Sequence, residues 1–212
     1  MASRDGAFGI LMGAAVGTCS LVLACGPPQA AQSAPCPDVD PASSVLDLLV
    51  QSPWEDLIRC AEQGHAEAQF LVGLRYEVGS DDSPRDDAEA VRWYRLVAEQ
   101  GDADAQFNLG VMYSRGEGVP KDHAEAVRWY RLVAEQGDAA AQLNLGVMYS
   151  RGEGVLQDLV LAYMWYDLSA AQGTEAAQRN QEGIERLMTR EQIAEAQRLS
   201  REWIETHPPD SN

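Results

Sequence analysis

Few residues of this 212-residue chain are of the types that carry covalent or metal chemistry: one lysine, Lys121, three histidines and four cysteines. Serine enzymes that act on β-lactams place a lysine three residues after the nucleophilic serine. Gly118 stands where that serine would be, and no Lys-Thr-Gly occurs. His123 becomes Leu159 at the equivalent place further along, His65 falls in a turn and His207 lies near the end. No C-x-x-C occurs, so neither a zinc site nor a cofactor is expected. Gly116-Glu117-Gly118 and Gly152-Glu153-Gly154 have the glycine content of a phosphate cradle. Acidic flanks, the lack of a preceding strand and the lack of a following P-loop lysine make them turns instead. No catalytic residue can be named, and the chain reads as a non-enzyme.

Composition excludes further classes. Acidic residues number 33 against 16 basic, for a net charge of −17. Such a chain repels the nucleic-acid backbone, so nucleic acid is excluded as a partner. Anionic lipid held through basic patches is excluded likewise. The apolar share of 45% and a mean hydropathy of −0.30 fit a folded domain, not a polytopic membrane protein.

The N-terminal segment has its own character. From Ala7 to Cys25 nineteen residues carry no charge, the pattern of an export signal over 1–24. Val22-Leu23-Ala24-Cys25 resembles the lipobox of bacterial lipoproteins, which implies cleavage before Cys25 and lipid on its sulfur. Cleavage elsewhere without lipid, or retention as a membrane anchor, are the alternatives. All three place the remainder outside the cytoplasm. Residues 25–39 then form a flexible tether. With Cys19 in the signal and Cys25 lipidated, Cys36 and Cys60 remain, as a disulfide or as two free thiols.

Internal repetition organises the rest. Ala88 to Gln100 recurs unchanged as Ala124 to Gln136, and residues 101–136 and 137–172 share 24 of 36 positions. Trp93-Tyr94, Trp129-Tyr130 and Trp165-Tyr166 mark successive units, and their spacing assigns them to packing rather than to a ligand box. Each unit reads as two helices. Ala105, Leu109, Met112 and Tyr113 share one helical face. Gly110 inside it implies close approach of a neighbouring helix. Asp122 with Glu125, and Asp86 with Glu89, look like capping boxes; Gly101, Gly137 and Gly173 end helices. The units are 64–100, 101–136 and 137–172. A degenerate pair at 40–63 precedes them, with helix starts at Asp40-Pro41 and at Ser52-Pro53-Trp54-Glu55. Capping helices at 173–207 follow, from Glu175 to Met188 and after Thr189, then a tail at 208–212. If the two helices of 40–63 run antiparallel, Cys36 approaches Cys60.

Ala-Gln-x-x-Leu-Gly-x-x-Tyr at Ala105–Tyr113, Gly-x-Gly-Val at Gly116–Val119, Ala-x-x-Trp-Tyr at Ala126–Tyr130 and a closing Gly137 resemble the Sel-one-like repeat. The resemblance covers roughly residues 64–205. It implies an all-α, right-handed α-solenoid of antiparallel helix pairs, related to tetratricopeptide repeats, that acts as an adaptor for a protein or peptide partner. In the related tetratricopeptide solenoids the first helix of each pair lines the concave face. Carried over, that geometry gives a peptide groove of Asp104, Phe107, Val111, Ser114 and Arg115. One unit on it continues through Ala140, Leu143, Val147, Ser150 and Arg151, and one unit back through Glu67, Phe70, Leu74 and Val78. Packing of Phe107 and Leu143 between repeats is the alternative. The chain is thus expected to be an exported, lipid-anchored envelope adaptor. A weak β-lactam or cell-wall hydrolase or binder, or a passive spacer, is the alternative.

Overall fold

The computed structural model describes residues 53–81 and 83–207. The chain divides into two units, Met1–Pro35 and Cys36–Asn212, and the described residues all belong to the second. The signal, Cys25, the tether, Cys36, the helix start at Asp40-Pro41 and Ser52 lie outside them.

The described residues form nine α-helices and no strand: α1 (Trp54–Glu62), α2 (Ala66–Val78), α3 (Asp87–Ala98), α4 (Ala103–Arg115), α5 (His123–Glu135), α6 (Ala139–Arg151), α7 (Leu159–Ala171), α8 (Glu175–Glu185) and α9 (Arg190–Thr206). Within units, α2 packs on α3, α4 on α5 and α6 on α7; between units, α3 packs on α4 and α5 on α6. At the far end α7 receives both α8 and α9. This is an α-solenoid, in which each element buries its apolar stripe on sequence neighbours.

The core lies at the junctions between units. Tyr94, Val97 and Ala98 of α3 pack with Ala105, Leu109 and Met112 of α4, and Trp129 of the next second helix enters the same cluster. One junction on, Tyr130 and Val133 of α5 meet Leu145 and Met148 of α6, with Trp165 inserted from α7. Trp93 does the same with Leu57, Cys60 and Leu71. Each tryptophan therefore closes the cluster of the unit before it, which is why one recurs in every unit. α9 adds to the cluster that holds Trp165, its Trp203 lying 6.4 Å from Trp165, ring to ring.

The caps agree with the sequence only in part. Asp86, Asp122 and Asp158 each accept two backbone N–H groups at the start of α3, α5 and α7. The expected return bonds from Glu89 and Glu125 are not made. The N–H of Asp86 donates to the Tyr76 carbonyl, and that of Asp122 to Tyr113, in the preceding helix. With that donor taken, Glu89 and Glu125 pair with Arg92 and Arg128 instead. Thr189 and Gln192 do form a reciprocal box. The helix expected to reach Met188 ends at Glu185, because Leu187 and Met188 donate to carbonyls three residues back in a tightened turn before Thr189. Pro53, not Ser52, holds the cap position of α1.

A ladder of buried glutamines fixes one unit on the next. Gln106 donates to the Ala98 carbonyl at 3.0 Å and accepts from Gln136 at 3.2 Å. Gln142 repeats this with Ala134 at 3.2 Å and Gln172 at 3.0 Å, and is fully buried. Replacing Gln142 by Met keeps the volume and removes both bonds. A loss of about 1–2 kcal/mol is expected in urea unfolding; an unchanged midpoint would show that the ladder contributes nothing.

Candidate functional site

The proposed groove residues divide into two kinds. Phe107 is half-buried against the Tyr130 ring, centroids 5.8 Å apart, and Val111 joins the same cluster. Leu143 and Val147 are half-buried beside Tyr166. Phe70 lies 5.6 Å from Tyr94, and Leu74 packs on that cluster. These side chains thus serve the junctions while presenting part of their surface. Asp104, Arg115 and Arg151 are exposed. Each arginine is only loosely paired, Arg115 with Glu117 at 3.8 Å and Arg151 with Glu153 at 3.9 Å.

The two serines point to residues that the sequence did not mark. Ser114 donates to the Val111 carbonyl at 2.8 Å and lies 3.5 Å from the Tyr130 hydroxyl. Ser150 donates to Val147 at 2.9 Å and lies 3.1 Å from the Tyr166 hydroxyl. The rings of the Trp-Tyr pairs pack, as their spacing implies; the tyrosine hydroxyls, however, reach the first-helix face. Asn108 and Asn180 interact with the Tyr94 and Tyr166 hydroxyls. Asn144, between them in register, lines a cavity of about 290 Å³ together with Ser114, Tyr130, Val147 and Arg151. Asn108, Asn144 and Asn180 recur every 36 residues; that periodicity was the available signal. The cavity also takes in Lys121, His123 and Glu153.

Burial pushes the Tyr94, Tyr130 and Tyr166 hydroxyls above the ordinary phenol range, and for Tyr94 the hydrogen bond to Glu77 adds to it. They remain neutral donors at physiological pH and are poor nucleophiles. Among the described residues no group of three His, Cys, Asp or Glu side chains is placed to hold a metal ion. What the face offers is hydrogen bonding, apolar contact and a few exposed cations.

The Gly-x-Gly turns are packing elements. Gly116 and Gly152 are left-handed C-caps of α4 and α6. Gly118 and Gly154 lie against backbone at the starts of α3 and α5. At the other end, Cys60 is buried beside Leu57 and Leu71. No helix of the described residues is long and apolar enough to cross a membrane.

The Sel1 repeat model matches residues 66–102, 103–138 and 139–174, two residues beyond the unit boundaries read from the sequence. No curated protein matches the chain. Among solved structures, a Sel1 repeat protein from Oxalobacter formigenes is 38% identical with a TM-score of 0.58, over 61% of this chain and 53% of that one. The chain thus spans about half the length of that relative. A protective antigen of uropathogenic Escherichia coli with an SLR fold is 30% identical, TM-score 0.49, over 80% of this chain and 43% of that one. Cysteine rich protein B of Helicobacter pylori is 20% identical, TM-score 0.45, over 59% and 96%. With three matched repeats built as consecutive helix pairs, the chain belongs to the Sel1 repeat family.

Proposed function

We propose that this chain is an exported adaptor, lipid-anchored through Cys25, that binds an extended peptide segment of an envelope protein along its first-helix face. Repeats of this family typically mediate protein–protein interaction. The observation that carries the peptide reading is the mixed face itself. Partly exposed Phe70, Phe107 and Leu143 sit beside Tyr94, Tyr130 and Tyr166, and the first helices of the second and third units end in exposed Arg115 and Arg151. An extended chain needs apolar contacts together with polar groups for its own amides. The lipobox supports the anchor. In this reading Cys36 and the buried Cys60 form a disulfide, as suits an oxidising compartment.

The test is site-specific photo-cross-linking in intact cells. Probes at Asp104 and Arg115 are expected to capture one defined envelope protein, and a probe at Arg128 on α5 is not. Capture only from Arg128 would overturn the groove. Palmitate incorporation that survives Cys25→Ala would overturn the anchor. A passive spacer is the second reading, favoured by the burial of Phe107 against Tyr130. It predicts no capture from either face.

A further inference from the structure

The first-helix face repeats the same polar group with one systematic change. In the first unit the Tyr94 hydroxyl donates to the Glu77 carboxylate at 2.6 Å, with Asn108 beside it. The chain supplies its own carboxylate there. One unit on, Ser114 replaces Glu77 in register. The Tyr130 hydroxyl then has a 3.5 Å approach to Ser114 as its partner, and opens with Asn144 onto the cavity of about 290 Å³.

Two cations, Lys121 and Arg151, line that cavity. No ion pair among the described residues includes Lys121. Its counterpart in the first unit, Arg85, is locked to Asp87 by bonds of 2.8 and 3.0 Å, and in the third unit it is Gln157. Arg151 lines the same cavity, held only at 3.9 Å by Glu153. The buried Nδ1 of His123, another lining residue, has no hydrogen-bond partner. In a chain of net charge −17 this is an exceptional concentration of donors.

We propose that the cavity between the second and third units binds the carboxylate of an Asp or Glu side chain on a peptide laid along this face. The carboxylate would take the role that Glu77 plays beside Tyr94, accepting from Tyr130 and pairing with Lys121 and Arg151. A side chain fits better than a chain terminus, because the tyrosine and asparagine positions continue on both sides, at Tyr94 with Asn108 and at Tyr166 with Asn180. Glu153 opposes the ligand and sets its limit. The inference rests on the peptide reading and adds the chemistry of the bound segment.

The full-length chain can be used to select binders from a library of random 12-residue peptides, which are then remade as C-terminal amides and measured by fluorescence anisotropy. Selected peptides are expected to carry an internal Asp or Glu. Changing that residue to Asn or Gln, or making Lys121→Gln or Arg151→Gln, is expected to weaken binding about tenfold; Glu153→Gln is expected to strengthen it. Both cations are exposed, so thermal unfolding of these variants should match the parent. Peptides that bind but ignore Lys121→Gln and Arg151→Gln would overturn the carboxylate site and leave the peptide groove standing. Peptides that bind only as free C-terminal acids would overturn the side-chain assignment. Recovery of no binder would overturn both readings.

Discussion

Gly118→Ala is expected to cost about 3 kcal/mol or more, far beyond what a turn glycine loses by conformation alone. Gly118 has φ +69, where an L side chain pays about 1–2 kcal/mol. Its added Cβ would also lie 2.1 Å from the Asp87 carbonyl oxygen and 2.7 Å from the Ala88 nitrogen. These are backbone atoms in the first turn of α3, fixed by the Asp86 cap, so they cannot turn aside. Relief requires the second unit to move off the first, and overpacking of this kind costs about 1–3 kcal/mol more. Gly154→Ala repeats the test one unit on, with its Cβ 2.2 Å from the His123 carbonyl oxygen. Gly101→Ala is the control, since φ is +98 but nothing lies within 4 Å. Solenoids unfold by units, so urea midpoints should be read beside amide exchange in α3 and α5. If Gly118→Ala lost no more than Gly101→Ala, the turn would not set the spacing between units.

Gly118 also separates what is local in the sequence from what is not. The helices were legible because apolar positions at i, i+4 and i+7 and aspartates before each second helix are local signals. Gly110 was legible as a close approach for the same reason, a glycine where a helix disfavours one. Gly118 read only as a turn, since its partner, Asp87, is thirty-one residues away and no local rule reaches it. Glu125 failed as a capping box because Tyr113, in another helix, takes the Asp122 N–H. The glutamine ladder was visible as a motif but not as a mechanism, as Gln136 meets Gln106 only once the units stack. The apolar members of the proposed groove stripe are half in the core, since each also packs on a buried tyrosine of its own or the adjoining unit. The polar group was missed because a tyrosine assigned to packing still has a hydroxyl at the far end of its ring.

Two mid-helix glycines should respond to alanine with opposite signs. Alanine is favoured over glycine in a helix by about 1 kcal/mol. At Gly183 in α8 nothing lies within 4 Å of the added Cβ, so Gly183→Ala should raise stability by about 0.5–1 kcal/mol. At Gly110 in α4 the Cβ would lie 2.6 Å from Cε1 and 2.7 Å from Cδ1 of Tyr130. That ring is buried in the junction cluster, with Phe107 packed against it, so it cannot turn aside without disturbing its neighbours. Overpacking should outweigh propensity, for a net loss of about 1–2 kcal/mol. In a Tyr130→Val background the ring is gone, and Gly110→Ala should become neutral or stabilising; the difference is the coupling read from the double-mutant cycle. Equal effects in both backgrounds would show that Gly110 does not set the depth of the ring. If the coupling is found, it bears on binding as well. The depth of that ring fixes where the Tyr130 hydroxyl stands beside Ser114 and the cavity that holds Lys121 and Arg151. Gly110→Ala should then weaken an acidic peptide even though Gly110 itself does not line the cavity.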